Sequence, residues 1–228
     1  MNEKTFDVPV VLLLFKRKDT VLQIIDRLKQ VRPGKVYLVG DQGRNEEEIK
    51  KVLDARKAVE AAIDWECIVV KNYAQKNRGV YGNIALGAKW VFEREEYAIF
   101  LEDDNLPEVT FFPFCRELLR RYKDDTRVMW ICGTNYLGKY KTEDGSSYMF
   151  TKHMLPCGWA SWSSKFLKYY DGEIELFRDP YVRKRFLKDF PNKAMRDVYE
   201  KPLVRYEKEL AQGKQPYSWD YQMCLTVR

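Results

Sequence analysis

The sequence predicts an α/β fold, a mostly parallel sheet flanked by helices and followed by a less regular C-terminal part. Between residues 9 and 132, short apolar runs of strand character alternate with stretches of helical periodicity, the pattern of a parallel sheet covered by helices. After Gly133 this alternation ends, and Pro180, Pro191, Pro202 and Pro216 punctuate a segment rich in aromatic and basic residues. At 228 residues the chain is long enough for one substantial core, so the expectation is a single domain, 1–228, with halves at 1–135 and 136–228.

The first element is a buried strand over Pro9 to Phe15. A helix started by Asp19 follows, with Val21, Ile24, Ile25 and Leu28 on one face. Lys35 to Val39 reads as the second strand. Asn45 and Glu48 then have capping-box spacing ahead of a helix whose apolar positions are Ile49, Val52 and Leu53. A third strand is expected at Cys67 to Val70, a helix with Ile84, Ala88, Val91 and Phe92 inward, and a fourth strand at Tyr97 to Leu101. Phe111, Cys115, Leu118, Leu119 and Tyr122 have helical spacing, and Val128 to Cys132 reads as a fifth strand ended by Gly133. Tyr136 to Tyr148, rich in Gly, Ser and Tyr, predicts a long excursion or hairpin over the sheet, and the part beyond about Phe166 predicts short helices separated by turns.

A composition of 45% hydrophobic, 32% charged and 14% aromatic residues excludes a mainly disordered or fibrous chain. The apolar run from Val8 to Phe15 is far shorter than the ~20 residues of a membrane helix and lacks a signal-peptide pattern, which predicts a cytoplasmic protein. Cys67, Cys115, Cys132, Cys157 and Cys224 are scattered without CxxC spacing and suggest neither a disulfide framework nor a zinc site. The net charge of +6 is compatible with an anionic substrate, with peripheral association at the cytosolic face of a membrane or with solubility alone, and by itself selects none of them. Arg183, Lys184, Arg185 and Lys188 read as a solvated helix face, so no nucleic-acid partner is expected.

In parallel α/β sheets, ligands bind beyond the carboxyl ends of the strands. There the fourth strand runs into Glu102-Asp103-Asp104, consecutive acids that repel one another unless solvent or a cation lies close. Read alone, the triplet is also compatible with a solvated acidic turn. As a binding site, Glu102 and Asp104, two apart, suit Mn²⁺ or Mg²⁺, and such a cation stabilises the charge that a departing nucleotide diphosphate develops.

The stretch Tyr97-Ala98-Ile99-Phe100-Leu101-Glu102-Asp103-Asp104-Asn105-Leu106-Pro107 with Phe111-Phe112 resembles the DXD segment of GT-A glycosyltransferases. The nearest likeness is to the EDD-containing N-acetylglucosaminyltransferase-like group and related bacterial family 2 enzymes. Trp130-Ile131-Cys132-Gly133-Thr134-Asn135, Gly158-Trp159-Ala160-Ser161-Trp162 and Ser218-Trp219-Asp220-Tyr221-Gln222 continue the resemblance over most of the chain. The resemblance implies a GT-A, Rossmann-like fold and an inverting transfer of a hexose or N-acetylhexosamine from a UDP-sugar to a hydroxyl of a glycan or lipid-linked glycan, as in polysaccharide biosynthesis. It implies Asp104 as chief metal ligand, Glu102 and Asp103 near ribose and sugar, Gly158 and Trp159 beside the sugar, and Asp220 as catalytic base. It further implies a nucleotide pocket from Phe15, Arg17, Asp41, Asn77, Arg78 and Gly79.

The residue types agree with these roles in part. Arg78 beside a helix N-terminus suits phosphate, and a carboxylate such as Asp41 accepts hydrogen bonds from a base or ribose. Arg17 reads equally as a surface arginine, Trp162 as a core residue, and Asp220 as a helix N-cap. His153, the only histidine, has no nearby acid pair and is not assigned to a metal. Members of the resembled group continue past the Trp-Asp helix, so the resemblance also implies a product truncated at its C-terminus. A noncatalytic nucleotide-sugar-binding protein is therefore one alternative. A sugar-phosphate nucleotidyltransferase is another, although Phe15-Lys16-Arg17-Lys18 lacks the glycines of its phosphate loop.

Overall fold

The computed structural model describes residues 5–228. Five fully buried apolar residues form β1 (Val10–Leu14), and α1 (Lys18–Val31) turns Val21, Ile24, Ile25 and Leu28 inward as their spacing predicts. Then come β2 (Lys35–Gly40), α2 (Glu46–Ala62), β3 (Ile68–Tyr73), α3 (Gly79–Phe92), β4 (Tyr97–Glu102) and α4 (Phe111–Arg121). Two short strands, β5 (Ile131–Cys132) and β6 (Trp159–Trp162), flank the long excursion. The chain ends in α5 (Ser163–Tyr169), α6 (Glu175–Arg178), α7 (Pro180–Lys188), α8 (Lys193–Ala211) and α9 (Asp220–Thr226).

The sheet has the order β3-β2-β1-β4-β6-β5. The β3, β2, β1 and β4 strands are parallel, while β6 runs antiparallel to both β4 and β5. From β1 the chain steps outward through β2 and β3, then returns to place β4 on the other side of β1. This reversal opens a crevice at the carboxyl ends of β1 and β4, the place where open α/β sheets hold ligands.

One core cluster joins the sheet to α1 and α4, and a second lies on the opposite face under α3, α5 and α9. A third unites Phe177, Phe186, Phe190, Leu203 and Tyr206 with Leu225 among the C-terminal helices.

Several boundaries differ from the sequence reading, for identifiable reasons. Leu53 is exposed, because α2 buries Val52, Ala55 and Val59 together with the paired or stacked Glu48 and Arg56. The predicted fifth strand shrinks to two residues, since only Ile131 and Cys132 find partners on β6. The 136–148 excursion forms no hairpin ladder and runs as turns and irregular chain. Pro202 does not separate helices: it lies inside α8. No helix among the described residues is long and apolar enough to cross a membrane.

Candidate functional site

The crevice between β1 and β4 is built by Asp103. The residue is 4% exposed, with Oδ2 accepting the Phe15 amide at 3.0 Å and Oδ1 accepting Arg17 Nη1 at 2.7 Å. The Thr20 hydroxyl donates to the Asp103 carbonyl at 2.5 Å, so the β1–α1 turn and the end of β4 are one hydrogen-bonded unit. Expected beside ribose and sugar, Asp103 gives each of its oxygens one donor from the protein's own β1–α1 turn.

Glu102 and Asp104 flank this anchor and point elsewhere. The Glu102 carboxylate accepts no hydrogen bond among the described residues. Burial pushes its pKa up to about 7, helped by the negative fields of Asp104, Asp103 and Asp220 and opposed by Arg17. Asp104 is half exposed, with Oδ2 2.9 Å from Arg17 Nη1 and Oδ1 accepting Asn105 Nδ2 at 3.0 Å. Asp220 opens α9 from 118 residues further along the chain than Glu102, and its Oδ1 accepts a short hydrogen bond from the Ser218 hydroxyl. The fold thus brings Glu102, Asp104 and Asp220 into one electrostatic cluster. Cys157 stands beside it, its thiol pKa raised by burial and then by the charges of Glu102, Asp104 and Asp220.

The cluster fits a divalent cation by its donor set. Hard oxygen ligands suit Mg²⁺ and Mn²⁺, and the partnerless, partly buried Glu102 carboxylate is a group that a cation would satisfy. No group of three or more His, Cys, Asp or Glu side chains among the described residues is arranged to hold a metal by itself. A cation here would complete its shell with water and ligand oxygens, as Mg²⁺ ordinarily does at phosphates.

Asn105, whose role the sequence reading missed, orients this loop. Its Oδ1 accepts the Glu102 amide at 3.2 Å and the Gly158 amide at 3.0 Å, linking the acidic turn to β6. Gly158 takes φ +63° there, a left-handed conformation suited to glycine. The available signal was an Asn directly after the acids, a residue type whose side chain commonly binds turn backbone.

A second group of predicted residues lies at the ends of β2 and α3 and serves the fold. Asp41 accepts four donors: the Gln42 and Arg78 amides on Oδ1 at 2.8 and 2.7 Å, and Asn77 Nδ2 and the Gly79 amide on Oδ2 at 2.9 and 3.0 Å. Its acceptor capacity is filled, which corrects the expectation that it receives a base or ribose. The same carboxylate occupies the start of α3, so that helix end, expected to hold phosphate, already carries an anion. The Arg78 guanidinium turns inward to Asn83, at 3.0 Å, and towards Asn72 and the Gly40 carbonyl. Burial lowers its pKa, and it does not project to a phosphate as its place before the helix suggested. Arg56 holds the Gly40 and Asp41 carbonyls from the other side. Asn77 is exposed, Gly79 adopts φ +71°, and Phe15 is partly exposed at the mouth of the crevice.

Trp159 requires a further correction. Expected beside the sugar from the resemblance, it lies in β6 at 1% exposure, stacked 4.0 Å from Phe100 and 4.2 Å from Trp130. No face of the indole is open to a ligand. Trp162 is likewise buried, donating to the Leu119 carbonyl.

Beyond Asp104 and Asn105 opens a cleft of about 1360 Å³, walled by Trp130, Tyr136, Tyr148, Phe150, Cys157 and Gly158. His153 is at its rim, with Nδ1 facing Arg228 at 3.3 Å.

The fold and site define an α/β chain with a carboxylate cluster at the carboxyl ends of its parallel strands. No protein-family model and no curated protein matches the sequence. Among solved structures, glucosyl-3-phosphoglycerate synthase of M. tuberculosis is similar at TM-score 0.43 and 12% identity, over 69% of this chain and 57% of that one. A structure of that synthase with Mn²⁺, uridine-diphosphate-glucose and phosphoglyceric acid is similar at TM-score 0.41 and 11% identity, over the same shares of the two chains. The chain therefore matches little more than half the length of that synthase.

Proposed function

We propose that the chain is a metal-dependent, inverting glycosyltransferase that moves a sugar from a nucleotide diphosphate donor, a UDP-sugar, to a hydroxyl of a glycan or lipid-linked glycan. The observation that carries this reading is the convergence of Glu102, Asp104 and Asp220 at the crevice between β1 and β4, with Glu102 held near a pKa of about 7 by burial and its acidic neighbours. The resemblance of the Glu102–Asp104, Gly158–Trp162 and Ser218–Gln222 segments to the GT-A group supports the same reading from sequence.

In this reading Glu102 and Asp104 hold Mn²⁺ or Mg²⁺. The cation, when bound, supplies positive charge to the diphosphate oxygens and stabilises the leaving group. Asp103 fixes the turn that carries Phe15 and Arg17, so the nucleotide meets a rigid floor. Ser218 occupies one oxygen of Asp220 and leaves the other to accept the acceptor's hydroxyl proton. The acceptor oxygen then bonds to the anomeric carbon as the bond to the diphosphate oxygen breaks, and inversion follows from that single displacement. The aromatic cleft beyond Asp104 is the acceptor side, because it joins the acid cluster at Asp104 and Asn105.

The test is UDP release from a set of UDP-hexoses and UDP-N-acetylhexosamines in Mn²⁺, with Asp220→Asn beside the wild type. The proposal expects turnover of at least one donor and a fall of about 10²–10⁴-fold in the variant with UDP affinity kept. Donor binding without turnover would favour a noncatalytic binding protein.

A further inference from the structure

The cation and the guanidinium compete for one oxygen. Arg17 Nη1 lies 2.7 Å from Asp103 Oδ1 and 2.9 Å from Asp104 Oδ2, a single nitrogen bridging two carboxylates. Its hold on Asp103 is fixed, since that carboxylate is buried and pinned by the Phe15 amide. Its hold on Asp104 is not fixed, since both side chains are half exposed, at 54% and 43%. Asn105 occupies the other Asp104 oxygen, so Oδ2 is the oxygen left for a cation, and Arg17 covers it. A divalent ion on Oδ2 would face a positive charge about 3–4 Å away and be repelled by it unless the guanidinium moves.

We propose that Arg17 is a positioning residue that occupies Asp104 in the metal-free site and passes to the donor's diphosphate when the cation arrives, so that cation and nucleotide bind cooperatively. The inference rests on the donor-site reading above and adds its regulation. The guanidinium has five N–H donors, of which the Asp103 bond uses one, and its planar fork matches phosphate oxygens. Of the neighbouring guanidiniums at the strand ends, Arg56 and Arg78 are turned inward onto backbone carbonyls and Asn83, and the start of α3 is taken by Asp41. Arg17 alone of these three arginines keeps an exposed head over the acid cluster. Released from Asp104, it trades one anionic partner for another, and the cation gains the vacated oxygen. Each ligand removes the other's cost, which is a positive coupling between them.

The experiment is titration of Mn²⁺ alone, followed by EPR of free Mn²⁺, and then titration with UDP present. It compares wild type, Arg17→Gln, Lys16→Gln and Asp104→Asn. Lys16→Gln removes the same charge one residue away, from a lysine bonded to Glu48. The proposal expects Arg17→Gln to bind Mn²⁺ alone about tenfold more tightly, Lys16→Gln to change it less than about threefold, and Arg17→Gln to bind UDP with Mn²⁺ about tenfold more weakly. Equal or weaker Mn²⁺ binding by Arg17→Gln overturns it, as does equal tightening by Lys16→Gln. Should Arg17→Gln fail to fold, Arg17→Lys decides: it keeps the charge without the planar fork, and Mn²⁺ and UDP binding both unchanged from wild type overturns the proposal. Mn²⁺ binding that Asp104→Asn leaves unchanged instead sinks the donor-site reading itself.

Discussion

Asp103 Oδ2 accepts the Phe15 amide at 3.0 Å across 88 residues of sequence, and this bond fixes the end of β4 against the turn that leaves β1. Of the three consecutive acids, the middle one is thus a structural anchor, whereas the Glu102 carboxylate accepts no hydrogen bond among the described residues and Asp104 is half exposed beside Arg17. Asp103→Ala leaves the Phe15 amide without its acceptor and Arg17 with Asp104 alone, and the expected cost is on the order of 2 kcal/mol in urea unfolding. Asp104→Ala, at a half-exposed pair, is expected to cost under about 1 kcal/mol. Equal costs would remove the distinction between anchor and ligand.

Asp41 makes a similar prediction at the other strand end. Asp41→Asn replaces one accepting oxygen with an amide that faces donors already directed at it. Stability should fall by about 2 kcal/mol, and hydrogen exchange should quicken at the Arg78 and Gly79 amides before the rest of the sheet. Unchanged exchange there would mean that α3 does not depend on this carboxylate.

The pKa of Glu102 is about 7 in the fold against an ordinary 4.5. Below about pH 4.5 the folded and unfolded chains both carry the proton, and the group is neutral to stability. Between the two values only the folded chain keeps it, so this contribution to stability falls as pH rises and the loss is complete above about pH 7. Glu102→Gln should therefore stabilise the apo protein by roughly 3 kcal/mol near pH 8 and hardly at all near pH 4. Thermal melts of the two proteins across that range check this, and a stabilisation independent of pH would contradict it.

Trp159 separates core from site. Trp159→Ala should cost about 3–5 kcal/mol, because the indole fills the space between Phe100 and Trp130. Trp159→Phe should lower the urea midpoint while leaving donor KM within about twofold. A selective loss of donor affinity at unchanged stability would restore the sugar-contact role.

Much of the fold was legible because β1 is apolar without interruption and α1 carries its buried residues at helical spacing, signals that local sequence states directly. The edge strand β3 and the two-residue β5 were harder, since their extent depends on which partners the sheet supplies. The acidic triplet was conspicuous at the end of an apolar strand, but the division of labour within it was not. Which acid turns inward is set by Phe15 and Arg17, far away in sequence. Asp41 and Arg78 have the residue types of a phosphate and ribose site, yet Asp41 accepts the Arg78 amide and the Arg78 guanidinium turns to Asn83, a competition that residue type cannot reveal. Lys165 gave no signal at all: it is 5% exposed and donates to the Tyr122, Asp125 and Val128 carbonyls, closing the end of α4.

The most direct measurement is calorimetric binding of UDP to the wild type in Mn²⁺, to the wild type in EDTA, and to Asp104→Ala in Mn²⁺. Binding that requires both the cation and Asp104 is the predicted result, with affinity at least about tenfold weaker in the other two titrations. Equal affinity in all three, or no binding by folded wild-type protein in Mn²⁺, would contradict a metal-dependent donor site at Glu102 and Asp104.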